Sequence, residues 1–163
     1  MYCDMMARTA QLSHFETELY KVTEGACGQD SNEDKFLIAT SEQPLSCLRA
    51  NEWIPEKQLP IKYAGYSTCF RKEADSHADD TLGLFSVTQF EKVEQLLLCR
   101  PQDSAEEMEK MLQMTEQFYQ SLGIPYRVVS IASGALNNAA AKQYDLEAWF
   151  PFQSQYRELV SCK

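Results

Sequence analysis

Leu84 to Cys99 reads LFSVTQFEKVEQLLLC, and Lys62 to Glu73 reads KYAGYSTCFRKE. In the first stretch, aromatic residues, valine and leucine are interleaved with Glu, Lys and Gln. Such alternation predicts an antiparallel strand with one polar face. In the second, Lys62–Phe70 predicts a strand that runs into a charged end, Phe70-Arg71-Lys72-Glu73. Further strands are expected at Phe36–Thr40, Tyr126–Ile131, Leu146–Phe150 and Tyr156–Cys162. One helix is well specified. It starts at Asp103 and Ser104, where Ser104 with Glu107 fits a capping box, and acidic residues fill its first turn. Met108, Met111, Leu112, Phe118, Tyr119 and Leu122 recur at helical spacing, the methionines as core packing. Gly123 and Pro125 then stop it. Short helices are expected at Leu45–Asn51 and Leu136–Gln143. Strands with helices between them, without regular βαβ alternation, predict an α+β fold.

The chain has 163 residues, 44% hydrophobic and 24% charged. That suits a single domain, 1–163, and argues against wholesale disorder. A transmembrane helix needs about 20 apolar residues, and no run here approaches that. The start, MYCDMMARTAQ, has no apolar core of a secretory signal. Fifteen Lys and Arg against 24 Asp and Glu give a net charge of −9. A basic nucleic-acid footprint is therefore missing from the chain as a whole. The six cysteines form no CxxC pair and only two histidines exist, so a zinc framework is not expected. Reduced cytosolic thiols are the default for such a chain. Glu24–Asp34, rich in Gly, Asn, Asp and Ser, reads as a flexible loop. Asn51–Pro60 is a second break.

Three stretches place charge where structure alone does not ask for it. Arg71 and Glu73 share a face of an extended chain, where a guanidinium can clamp a phosphate or carboxylate. A surface ion pair at a strand end is the plain alternative. Phe90, Lys92 and Glu94 share one strand face, an arrangement able to stack a base and hold an amino group. Cross-strand charge pairing explains the same pattern. Thr40 and Glu42, in Thr40–Pro44, form either a polar site or a helix cap. His77, between acidic residues, reads as a loop histidine.

Taken in order, the blocks TAQL, ELYKV, LIATSEQPL, KYAGYSTCFRKEA, QFEKVEQ, SGALNNAAAKQYDLEAWFP and RELVSC resemble the catalytic domain of the seryl-tRNA synthetase family, cytosolic eukaryotic type. The resemblance runs from about Ala7 to Cys162. It implies a class II antiparallel sheet flanked by helices, here incomplete, and a cytoplasmic location. It also implies activation of serine with ATP and magnesium, then transfer to tRNA(Ser). By resemblance, Arg71 bridges the ATP α-phosphate and the serine carboxylate. Glu73 holds the adenine amino group or the nearby nucleotide, Phe90 stacks on adenine, and the Val87 backbone reads its edge. Glu94 binds the serine hydroxyl or amine, while Thr40 and Glu42 match the loop that recognises the amino group. Glu158 and Ser161 match positions that hold magnesium and the phosphates. Adenylate formation needs positive charge at the α-phosphate and no covalent protein nucleophile.

The sequence also departs from the family pattern. Ser86 stands where the family carries an arginine that grips ATP. Losing such a donor costs about 3–4 kcal/mol in other enzymes. Asp75 and Asp79 place negative charge in a loop that meets the tRNA acceptor end, where it repels phosphate. Phe152–Tyr156 replaces a turn of small residues. Motif 3, most of motif 1 and the coiled-coil tRNA-binding arm fall outside the chain. The expectation is a partial serine–tRNA ligase core, impaired or inactive alone, that self-associates or docks on a full-length synthetase. A non-catalytic truncated paralogue, or a fragment without its own function, is the alternative. An exposed sheet edge is expected at Leu159–Cys162.

Overall fold

The computed structural model describes residues 1–9, 18–22, 35–72, 87–137 and 139–163. Between Leu98 and Cys99 the chain divides into two units, Met1–Leu98 and Cys99–Lys163. The expected loop 24–34 lies outside the described residues, as do Glu73, Asp75, His77, Asp79 and Ser86.

The first unit opens with helix α1 (Cys3–Arg8), then the short antiparallel pair β1 (Lys21–Val22) and β2 (Lys35–Phe36). Met6, Leu19 and Ala39 are fully buried here, with Met1 and Phe36 packed on them. The strand expected at Phe36–Thr40 is paired only at its first residue. The Leu37 amide still bonds to Tyr20, but Ile38 turns its carbonyl to the Phe70 amide. Helix α2 (Glu42–Cys47) follows with Ser41 at its N-cap, and Thr40 Oγ1 accepts from the Glu42 amide at 2.9 Å. The helix starts three residues before the expected Leu45, and it ends at Cys47 in turns that lead to Asn51 at φ 64.

Strands β3 (Ile61–Phe70) and β4 (Gln89–Leu98) form an antiparallel ladder. Its register sets Gly65 opposite Glu94, Ser67 opposite Lys92 and Cys69 opposite Phe90. Residues directly opposite share a face. The face carrying those six residues is buried at Cys69 and half-buried elsewhere, whereas Tyr66 and Val93 on the other face are 68% and 66% exposed.

In the second unit, helix α3 (Ser104–Ser121) leads to the sheet β5 (Tyr126–Ser130), β6 (Tyr144–Phe150) and β7 (Gln155–Cys162), antiparallel and in that order. The expected capping box does not form. Pro101 opens a 3-10 turn, Pro101–Asp103, and Ser104 already has helical dihedrals. The Asp103 carboxylate is taken by Arg100 and Glu107 by Lys110. The helix ends as expected. Gly123 at φ 67 sends its amide to Gln120 and Ile124 sends its amide to Tyr119, a Schellman closure. Leu112 is buried and Cys162 bonds to the Met108 carbonyl, so that side faces the sheet. Phe118 and Leu122, which share the helical spacing, are over half exposed.

No helix forms among the described residues of 136–143. The Asn137 carboxamide accepts from the Ala139 amide and its carbonyl from Ala140, a local turn that competes with a helix. Leu159–Cys162 lies on β7, an outer strand of this sheet among the described residues, where Cys162 is 8% exposed rather than open. No helix among the described residues is long and apolar enough to cross a membrane.

Candidate active site

The covered face of β3 and β4 brings four of the candidate residues together. Glu94 projects from it with only 16% of its side chain exposed. Its Oε2 receives the Thr40 hydroxyl at 3.1 Å and lies 3.0 Å from the Lys92 ammonium. Thr40 therefore bonds to the first amide of the helix and to the strand at once. Glu42 follows at the helix start.

Gly65 makes this closeness physically allowed. A Cβ at that position would lie 2.8 Å from Ser41 Oγ and 3.0 Å from Leu45 Cδ1. The start of α2 thus rests directly on the β3 backbone opposite Glu94. A glycine inside a strand pattern is a sign of such approach, and sequence reasoning left it unused. Ser41 and Gln43, which it also missed, are 6% and 1% exposed. Ser41 Oγ and both ends of the Gln43 amide find no hydrogen-bond partner among the described residues.

Further along the same face, the Arg71 guanidinium stands 5.4 Å from the Phe90 ring centroid. The two are close because the Arg71 amide continues the ladder, bonding to the Thr88 carbonyl. Arg71 Nε is buried without an acceptor among the described residues. Val87 lies just before β4 and is 37% exposed. Cys69 is fully buried beneath this face. Burial pushes its thiol above the ordinary value, while the positive charges of Lys92 and Arg71 pull it back. Those opposing effects mark one small region holding two cations and Glu94.

Glu158 and Ser161 belong to the second unit, on β7. Three residues apart in a regular strand, they would face opposite ways. The ladder shifts between Leu146 and Glu147, so Glu158 opposes Glu147, Ser161 opposes Asp145, and Leu159 is the extra residue. This bulge returns Glu158 and Ser161 to one face. Glu147 on that face is gripped by Arg127, whose Nε and terminal nitrogen each lie 2.7 Å from its Oε2. The donor set of a carboxylate and a hydroxyl is hard oxygen, which suits magnesium beside phosphates.

Residues 20–163 match the model of the tRNA synthetase class II core domain (G, H, P, S and T). The chain belongs to this class II synthetase core family. It is 64% identical over 98% of its length to the cytoplasmic serine–tRNA ligase of Dictyostelium discoideum, and 56% identical over 98% to that of Saccharomyces cerevisiae. It covers 34% of each of those relatives, so it spans about a third of their length. Among solved structures, it is similar to the cytoplasmic serine–tRNA ligase of Naegleria fowleri in complex with AMP, at TM-score 0.88 and 55% identity. That match covers 99% of this chain and 37% of the other. Seryl-tRNA synthetase of Pyrococcus horikoshii complexed with ATP is similar at TM-score 0.86 and 43% identity, covering 97% of this chain and 34% of the other. The synthetase core chain thus resembles the catalytic region of serine–tRNA ligases, and its antiparallel sheets with helices are the partial α+β fold of that family.

Proposed function

We propose that this chain carries the serine-activating site of a cytoplasmic serine–tRNA ligase. The observation that carries the reading is the hydrogen bond from Thr40 to Glu94, made across 54 residues of sequence and held by the glycine contact at Gly65. Such a covered acceptor rewards a ligand that brings its own donors and rejects one that lacks them.

In this reading Thr40, Glu42 and Glu94 bind the ammonium and hydroxyl of serine. Arg71 bridges the serine carboxylate and the ATP α-phosphate. A buried guanidinium nitrogen without an acceptor costs about 1–3 kcal/mol, a cost that a phosphate or carboxylate oxygen removes on binding. Phe90 stacks on adenine, the Val87 backbone meets its edge, and Glu73 holds its amino group. The serine carboxylate oxygen attacks the α-phosphorus, the bond to the β-phosphate oxygen breaks, and pyrophosphate leaves. Arg71 stabilises the charge that grows on the α-phosphate in that step. Glu158 and Ser161 would hold magnesium, which when bound offsets phosphate charge. Transfer of serine to the terminal ribose of tRNA(Ser) is the second half-reaction of the same reading.

A second reading, a non-catalytic module that binds serine and ATP, is favoured by Ser86 at the place of a phosphate-gripping arginine. Serine-dependent ATP–pyrophosphate exchange separates the two, with binding of a non-hydrolysable seryl-adenylate mimic measured alongside. Exchange that falls by about 10²–10³ in Arg71→Ala supports the activating site. Binding without exchange supports the module. Neither binding nor exchange from a cooperatively melting sample overturns both.

A further inference from the structure

We infer that Lys92 is a positioning residue for Glu94, and through it a determinant of the choice of serine over alanine. The inference rests on the proposed serine-binding role of Glu94.

Lys92 and Glu94 lie two residues apart on β4, so they share the face that opposes Ser67 and Gly65. The Lys92 ammonium is 3.0 Å from Glu94 Oε2, the same oxygen that receives the Thr40 hydroxyl. Two donors thus converge on one oxygen from different elements. That fixes the carboxylate plane and leaves Oε1 as the acceptor for a ligand hydroxyl. Thr40 alone holds one direction only, and the carboxylate stays free to pivot about it. Charge adds a second effect. Glu94 is 84% covered, since its side chain is 16% exposed. A cation beside a carboxylate so far from water offsets the cost of burying its charge.

The charged and titratable groups around Glu94 are Lys92 on β4, Cys69 on β3, Arg71 just after β3, and Glu42 at the start of α2. Arg71 reaches toward Phe90 rather than Glu94. Lys92 itself is 38% exposed, so its ammonium keeps much of its hydration while it serves the pair. Its effect is to aim Glu94.

The test uses the full chain and two non-hydrolysable mimics, seryl- and alanyl-sulfamoyl adenosine, titrated by calorimetry. The wild-type chain prefers the seryl mimic on the order of 10²-fold, the scale of a site built for a hydroxyl but short of the best known cases. Lys92→Met lowers that preference about tenfold. The loss falls on the seryl mimic, and alanyl affinity stays within about twofold. Lys92→Arg keeps the preference. Lys92→Gln carries the same comparison where the Met variant fails to melt cooperatively.

Equal weakening of both mimics would overturn the inference, since a structural role or a direct contact with the shared adenylate predicts that. An unchanged preference overturns it as well. Wild-type binding of both mimics with equal affinity overturns the role of Glu94 in hydroxyl recognition and this inference with it. Failure of the wild-type chain to bind either mimic refutes the proposed function itself.

Discussion

Replacing Thr40 by valine removes one hydroxyl and changes little else in volume. That hydroxyl serves two partners. It donates to Glu94 Oε2 at 3.1 Å and accepts from the Glu42 amide at 2.9 Å. Thr40 is 3% exposed, so water does not replace either bond. A hydrogen bond to a charged acceptor contributes about 1.5–3 kcal/mol, and one from the first helix amide about 1 kcal/mol. The added methyl of valine returns about 1 kcal/mol of apolar burial. Thr40→Val is therefore expected to destabilise the first unit by about 2–3 kcal/mol. Thr40→Ser keeps both bonds and costs about 1 kcal/mol or less, the value of one buried methyl. Hydrogen exchange at the Glu42 amide reads the effect locally, and urea unfolding reads it globally. Protection at Glu42 drops in the valine variant and survives in the serine variant. A double-mutant cycle of Thr40→Val with Glu94→Gln is expected to show coupling of about 1 kcal/mol or more. Equal stability of Thr40→Val and Thr40→Ser, with no coupling to Glu94, would refute the reasoning.

Gly65→Ala puts a Cβ 2.8 Å from Ser41 Oγ and 3.0 Å from Leu45 Cδ1. Those two atoms can turn away, but Ser41 Cβ at 3.1 Å is fixed to the backbone at the start of α2, so the cost is about 1–3 kcal/mol, and seryl-mimic affinity falls along with it. Calorimetry that finds both unchanged would show that α2 does not rest on β3. Ser154 sits at φ 52 in the turn before β7 and its hydroxyl reaches Pro151 at a weak 3.3 Å. Ser154→Gly is expected to raise stability by about 0.5–1 kcal/mol, read from the thermal midpoint, and a lowered midpoint contradicts it. Burial raises the thiols of Cys69 and Cys162, the latter also through Glu109. A raised value means the fold favours the neutral thiol. The stability it contributes is complete below the ordinary thiol range and is lost as pH climbs through the raised values. Unfolding free energy should fall on the alkaline side of that range, and the joint Cys69→Ala, Cys162→Ala variant should flatten the fall. An unaltered alkaline slope in that variant would remove the thiols as its cause.

Much of the scaffold was legible because burial on one face writes itself into a strand as alternation. Gln89–Leu98 alternates covered and exposed residues, and the expected strand differed from it mainly at the start. The long helix and its stop were legible for the same kind of reason, since Gly123 supplies a backbone angle that other residues resist. Elements decided by single polar contacts were not legible. Thr40 ended one strand early and began a helix early, with one hydroxyl. Asn137 replaced a helix by a turn. Arg100 took the carboxylate of Asp103 and Pro101 wound the chain before Ser104 could cap it. Phe118 and Leu122 kept helical spacing yet face outward, because spacing says nothing about how wide a stripe the sheet covers.

The candidate site follows the second pattern more than the first. Periodicity placed Phe90, Lys92 and Glu94 on one face, and the register sets them on the covered side. What brings other groups to that face is a break in regularity. Gly65 removes a side chain so that Ser41 and Thr40 can come close to Glu94. On β7 the break is an extra residue. Glu158 and Ser161 would diverge in an ideal strand, and Leu159 cancels the divergence by dropping out of the ladder. Both devices cost local stability, since a strand glycine packs nothing and a bulge leaves a residue unpaired. Both are invisible to a search for the best-fitting repeat, which treats them as noise. Local rules fail where the chain must place particular atoms rather than fill a core. In this chain the glycine and the bulge both lie where polar side chains gather.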